Sequence, residues 1–73
     1  MYLSAYPPFT IHDWRGRELS RHTDIAAARM DLEDFVRADG HLYTLRNGIG
    51  DSWACSRLPD GRPHWHEPMI YTS

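Results

Sequence analysis

In the run RPHWHEP, His64 and His66 flank Trp65, and Glu67 follows. In an extended strand the two imidazoles point to one side and the indole to the other. Such a pair can supply two ligands to zinc, which usually takes four in a tetrahedral arrangement. His12, His22 and His41 are further nitrogen donors, and Asp13, Glu67 and Cys55 could complete a set. No two of these groups stand at a recognised zinc spacing: the chain has no Cys-x-x-Cys and no His-Glu-x-x-His. The expected arrangement is two solvated histidines on an uncovered sheet face, with no metal and no cofactor.

Cys55 beside a histidine would be the smallest nucleophilic pair. A lone cysteine in a strand is more often a small buried hydrophobe, and nothing marks a base, an orienting group or an oxyanion hole. A chain of 73 residues also struggles to enclose a ligand pocket. The expectation is a protein that is not an enzyme. The glycines of RNGIGDS are not a phosphate-binding loop, because no helix pattern follows them; they read as a hairpin turn.

The positioning elements follow from periodicity. FTIHDW alternates with Phe9 and Ile11 on one side, the mark of a half-buried strand. RGR turns at Gly16, and ELSRH reads as a short second arm or an irregular lead into a helix. Thr23 is the expected N-cap and Asp24 sits in the first turn. Ile25, Ala28, Leu32, Phe35 and Val36 then form one apolar stripe, and Gly40 ends the helix. Glu33 and Arg37 make an i, i+4 pair. HLYTLR, SWACSR and HWHE return to a period of two, separated by turns at NGIGD and LPDGR.

The predicted fold is α+β: a small antiparallel sheet of three to four strands in β-α-β-β-β order, with one helix across one face. The expected core is Phe9, Ile11, Leu19, Ile25, Ala28, Leu32, Phe35, Val36, Tyr43, Leu45, Trp53 and Trp65. One domain is expected, with an N-terminal arm over 1–8, a core over 9–67 and a tail over 68–73. Tyr2, Leu3 and Tyr6 of the arm are expected to tuck against the domain or a second copy.

Composition bounds the function. The formal charge is −2, so no global basic field draws the chain to nucleic acid or anionic lipid. All eight basic residues are arginine, which reads as codon bias in a GC-rich genome. One cysteine fits a reducing cytosol. No signal-peptide pattern and no transmembrane-length apolar run is expected. Aromatics make up 12% of the chain, more than so small a core can hide, which favours a binding surface.

The element order from Phe9 to His66, the capped helix TDIAAARMDLEDFV and the hairpin LPDGRPHW resemble the layout of small anti-CRISPR inhibitors carried by bacteriophages and mobile elements. That family shares no common motif, so no functional residue carries over. The resemblance implies stoichiometric binding to a CRISPR effector complex in the bacterial cytoplasm, blocking DNA binding or nuclease recruitment. A basic nucleic-acid channel would be the natural target of an acidic helix.

Residue by residue, the partner surfaces expected are the acidic helix side (Asp31, Glu33, Asp34) and the exposed strand and turn residues Arg46, Arg57, His64 and His66. The expected partner is a large bacterial protein or nucleoprotein complex. Self-association through the open sheet face or an edge strand is the competing expectation. Binding of RNA or single-stranded DNA on that face, through Arg46, Arg57, Trp14, Tyr71 and the histidines, is the third. It is weakened by the negative charge and by the lack of a basic-aromatic run.

Overall fold

Apolar residues at alternate positions need a cover on one side only, and here a single helix supplies it. The computed structural model describes residues 6–66. Tyr2, Leu3, Tyr71 and the expected tail lie outside the described residues. Five strands form one antiparallel sheet: β1 (Phe9–His12), β2 (Glu18–His22), β3 (Tyr43–Arg46), β4 (Ser52–Arg57) and β5 (Pro63–Trp65). Their spatial order is β2-β1-β3-β4-β5, so the central strand β3 lies between β1 and β4. The helix α1 (Ile25–Asp39) follows β2 and packs across one face. This is the α+β architecture expected from the sequence.

The strand count is higher than three to four, and the order is β-β-α-β-β-β. Glu18–His22 is a true strand, paired antiparallel to β1. Its alternation is polar, so hydrophobic periodicity does not reveal it. Ser20 and His22 face the helix and hydrogen-bond the Asp31 carboxylate at 2.9 and 2.8 Å. That fixes the register, and period two then turns Leu19 outward. A bulge between Ile11 and His12 adjusts the pairing at the same place. Leu19 is therefore 39% exposed and not in the core, contrary to expectation.

The core is Phe9, Ile11, Ala28, Leu32, Val36, Tyr43, Leu45 and Cys55, with Ile25, Phe35 and Trp65 packed against it. Trp53 is buried as well. Ala28, Leu32 and Val36 are spaced four apart, one residue per turn along a single line of α1.

The helix ends are set by local chemistry. Asp24, not Thr23, is the N-cap: its backbone is extended and its carboxylate accepts the amide of Ala27 at 3.1 Å. Gly40 closes the other end with a φ of 76°, and its amide donates to the Val36 carbonyl at 2.8 Å. Arg57 reaches over from β4 and donates to the Arg37 carbonyl at 3.1 Å, satisfying one of the last-turn acceptors. Gly48, in the β3–β4 turn, accepts close backbone approach: a Cβ there would lie 2.3 Å from the Pro7 carbonyl oxygen.

Leu19 and Leu32 separate the two readings of the core. Leu32→Ala is expected to destabilise by about 2–5 kcal/mol. Leu19→Ala should stay within about 0.5 kcal/mol of the parent. Urea unfolding of both variants checks this, and equal losses would place Leu19 back in the core.

Candidate functional site

Among the described residues no helix lies on the outer face of the sheet. Strand register places its residues in crossing rows. Arg21, Thr10, Arg46 and Ser52 form one, running from β2 to β4. Glu18, His12, Thr44 and Ala54 form the next, and the His66 amide, just past β5, bonds the Ala54 carbonyl. Ser56 and His64 pair beyond them. The centre of this face is small: Thr10, Thr44 and Ala54. Charge and imidazole stand around it.

Three of the expected surface residues lie here. Arg46 is exposed and takes part in no ion pair among the described residues. His64 and His66 are exposed, with ring centres 5.4 Å apart and planes at 78°. His66 Nε2 lies 2.8 Å from the Ser56 hydroxyl. Trp65 points to the other side, where its Nε1–H donates to Glu33 at 2.7 Å and Arg29 lies over its ring at 5.4 Å.

The other four are not with them. Arg57 alternates to the helix side and holds the last turn of α1. Asp31 binds β2 through Ser20 and His22. Glu33 binds Trp65 and lies 3.7 Å from Arg37. Asp34 projects into solvent and pairs with Arg37 at 3.1 Å. Asp24 caps the helix, and Asp39 accepts the Tyr43 hydroxyl at 2.6 Å and the His41 amide at 2.9 Å. Every acid from Asp24 to Asp39 thus has an internal partner. The helix remains acidic, but Asp24, Asp31, Glu33 and Asp39 are engaged by the fold, while Asp34 stays in solvent beside Arg37.

Sequence reasoning left the role of Trp14 open, and missed its partners. It sits in the β1–β2 turn, 45% exposed. Its ring stacks on His41 with centres 3.8 Å apart, meets Tyr43 edge-on at 5.8 Å, and has the Arg15 guanidinium 5.8 Å above it. Phe35 stacks on Tyr43 behind. Leu42, beside His41, is also exposed. The turn that carries Trp14 is built on Asp13, whose buried carboxylate accepts the amides of Arg15 and Arg17, each at 2.9 Å, and the Arg17 guanidinium at 3.2 Å. The signal for this turn was present as Asp followed by Gly at i+3.

Electrostatics at these positions is structural. Burial alone would push the Asp13 carboxyl up; the Arg17 and Arg15 amides and the Arg17 guanidinium outweigh it and hold it below the usual range. The Tyr43 hydroxyl, then the His41 amide, hold Asp39 low. Burial, and then the bond to Asp39, push the Tyr43 phenol up to about 12. Burial, and then the Glu33 carboxylate, push the Cys55 thiol up to about 11. Cys55 is buried and protonated at neutral pH, which is the opposite of an activated nucleophile. Among the described residues no group of three or more His, Cys, Asp and Glu side chains gathers around a common point. No helix among them is long and apolar enough to cross a membrane. No family model, curated protein or solved structure matches the chain.

Two outcomes follow. Asp13 and Asp39 are both depressed in the folded state, so their stabilising contribution is complete above the usual Asp value of 3.8 and drains away as pH falls below it. Asp13→Asn should destabilise at pH 7 and flatten the acid limb of a stability-against-pH curve; an unchanged limb would remove Asp13 from that account. Cys55 should resist iodoacetamide at pH 8 in the folded chain and react at once in urea, as read by intact mass.

Proposed function

We propose that this chain is a non-catalytic protein-binding module whose contact surface is the Trp14–His41–Leu42 end of the domain. The observation that carries this is Trp14 itself. A tryptophan half in solvent, with its ring already fixed by His41, Tyr43 and Arg15, loses little freedom on meeting a partner. Tryptophan is also the residue type most enriched at the energetic centre of protein interfaces. The core does not need it, since Phe35 already stacks on Tyr43 from within.

For the partner we propose a large bacterial nucleoprotein complex, with CRISPR effectors as the first class to test. The support is the resemblance of the capped helix and the LPDGRPHW hairpin to small anti-CRISPR inhibitors, since the element order behind that resemblance gains a strand before the helix. Arg46 and the histidines of the outer sheet face would supply secondary polar contacts. The engagement of Asp31 by β2 and of Glu33 by Trp65 moves the proposed contact away from the acids of the helix side and toward the aromatic end. Asp34, the most exposed of them, is left as a rim residue.

The test is phage plating on bacteria with active CRISPR immunity of several types, with the chain expressed in trans. The expected result is restored plaquing of a targeted phage, lost with Trp14→Ala and kept with Asp34→Ala. Full immunity in every system would sink the inhibitor reading. If a partner is instead captured from lysate after nuclease treatment, Trp14→Ala should weaken that capture by about 2 kcal/mol or more, as for a central interface anchor.

A further inference from the structure

We propose that His64 and His66 form a two-histidine site for a zinc ion on the outer face beside β5. This goes beyond the binding role above and does not rest on it. The geometry is the argument. A zinc-bound imidazole has a Zn–N distance of about 2.0–2.1 Å, and the ring centre lies about 1.1 Å further back, so each centre is about 3.2 Å from the metal. Two such rings at a tetrahedral angle have centres about 5.2 Å apart; at a right angle the figure is about 4.5 Å. The observed separation is 5.4 Å, which matches the tetrahedral case.

The surroundings agree. Both rings are exposed and share one side of the strand, because Trp65 between them is tied to Glu33 on the other. Opposite them on β4 stand Ala54 and Ser56, too small to fill the space above. The Ser56 hydroxyl lies 2.8 Å from His66 Nε2. A hydroxyl that holds Nε2–H leaves the Nδ1 lone pair for a metal, and such outer partners are how ligating histidines are usually oriented. With two protein ligands, the remaining positions fall to water or an added donor. The sequence reading expected no metal here, because no recognised zinc spacing is present; a two-ligand site formed by the i, i+2 histidines of one strand needs no such spacing.

The experiment is titration of the full chain, free of any histidine tag, with zinc chloride, read by calorimetry and by the imidazole proton resonances. One ion per chain is expected, with shifts confined to His64 and His66. His64→Ala and His66→Ala should each weaken binding at least about tenfold, the lower end of what even a supporting partner costs. His12→Ala and His41→Ala should leave binding unchanged. Because ligating imidazoles must be neutral, affinity should fall as pH is lowered. The proposal is overturned by absence of binding in the folded parent chain, by shifts centred on other histidines, or by unchanged affinity in both pair variants. Circular dichroism confirms that each variant is folded, which both exposed positions should permit.

Discussion

One helix has to cover the whole inner face of a five-stranded sheet, and the rest of the molecule is arranged around that demand. Leu32 points straight down into the core. Successive helical residues are about 100° apart, so Asp31 and Glu33 splay to either side of it. Asp31 reaches the edge strand β2, at Ser20 and His22, and Glu33 reaches the opposite edge strand β5, at Trp65. Apolar contact holds the middle strands, and two half-buried carboxylates hold the rims. A hydrogen bond to a charged group contributes about 1.5–3 kcal/mol, so three such bonds are not minor in a domain this small.

This arrangement explains why the acidic helix is not the free anionic patch that its composition implies. The acids follow the helix because the sheet edges offer donors: a serine, a histidine and an indole. It also divides the molecule by chemistry. From Asp24 to Asp39 there are five acids and two arginines. Among the described residues the outer sheet face carries Arg21, Arg46 and three histidines against one acid, Glu18. A neutral or basic face opposite an acidic one orients the molecule in the field of any charged partner.

The apolar framework was legible in the sequence. Phe9, Ile11, Leu32, Val36, Tyr43 and Leu45 follow simple periodicity, and Gly40 ends the helix as its type requires. What escaped was carried by polar residues. ELSRH has no hydrophobic alternation, because its inward positions are Ser20 and His22, chosen by a carboxylate eleven and nine residues away. Leu19 looked like core because leucine usually is, and the strand's polar register overrode it. Thr23 and Asp24 are both good caps by type, and only backbone geometry separates them. Arg57 is exposed as expected, but its bond to the helix end was not foreseen; it depends on Gly40 leaving room for the guanidinium, whose Nη2 lies 2.5 Å from where a Cβ would be.

The aromatic end shows the same logic applied to a surface. Asp13 is a buried charge, which is tolerated only when its oxygens are satisfied, and three donors from Arg15 and Arg17 do so. Satisfying it forces the chain into a tight turn, and that turn projects Trp14 over His41. Tyr43 then links the two levels: its ring stacks on Phe35 and meets Trp14, while its hydroxyl is anchored to Asp39 at the end of the helix. Buried polar bonds therefore set the position of an exposed aromatic ring. The ring is thus held in place by side chains from the β1–β2 turn and from the segment that leads into β3 and begins it, before anything else meets it.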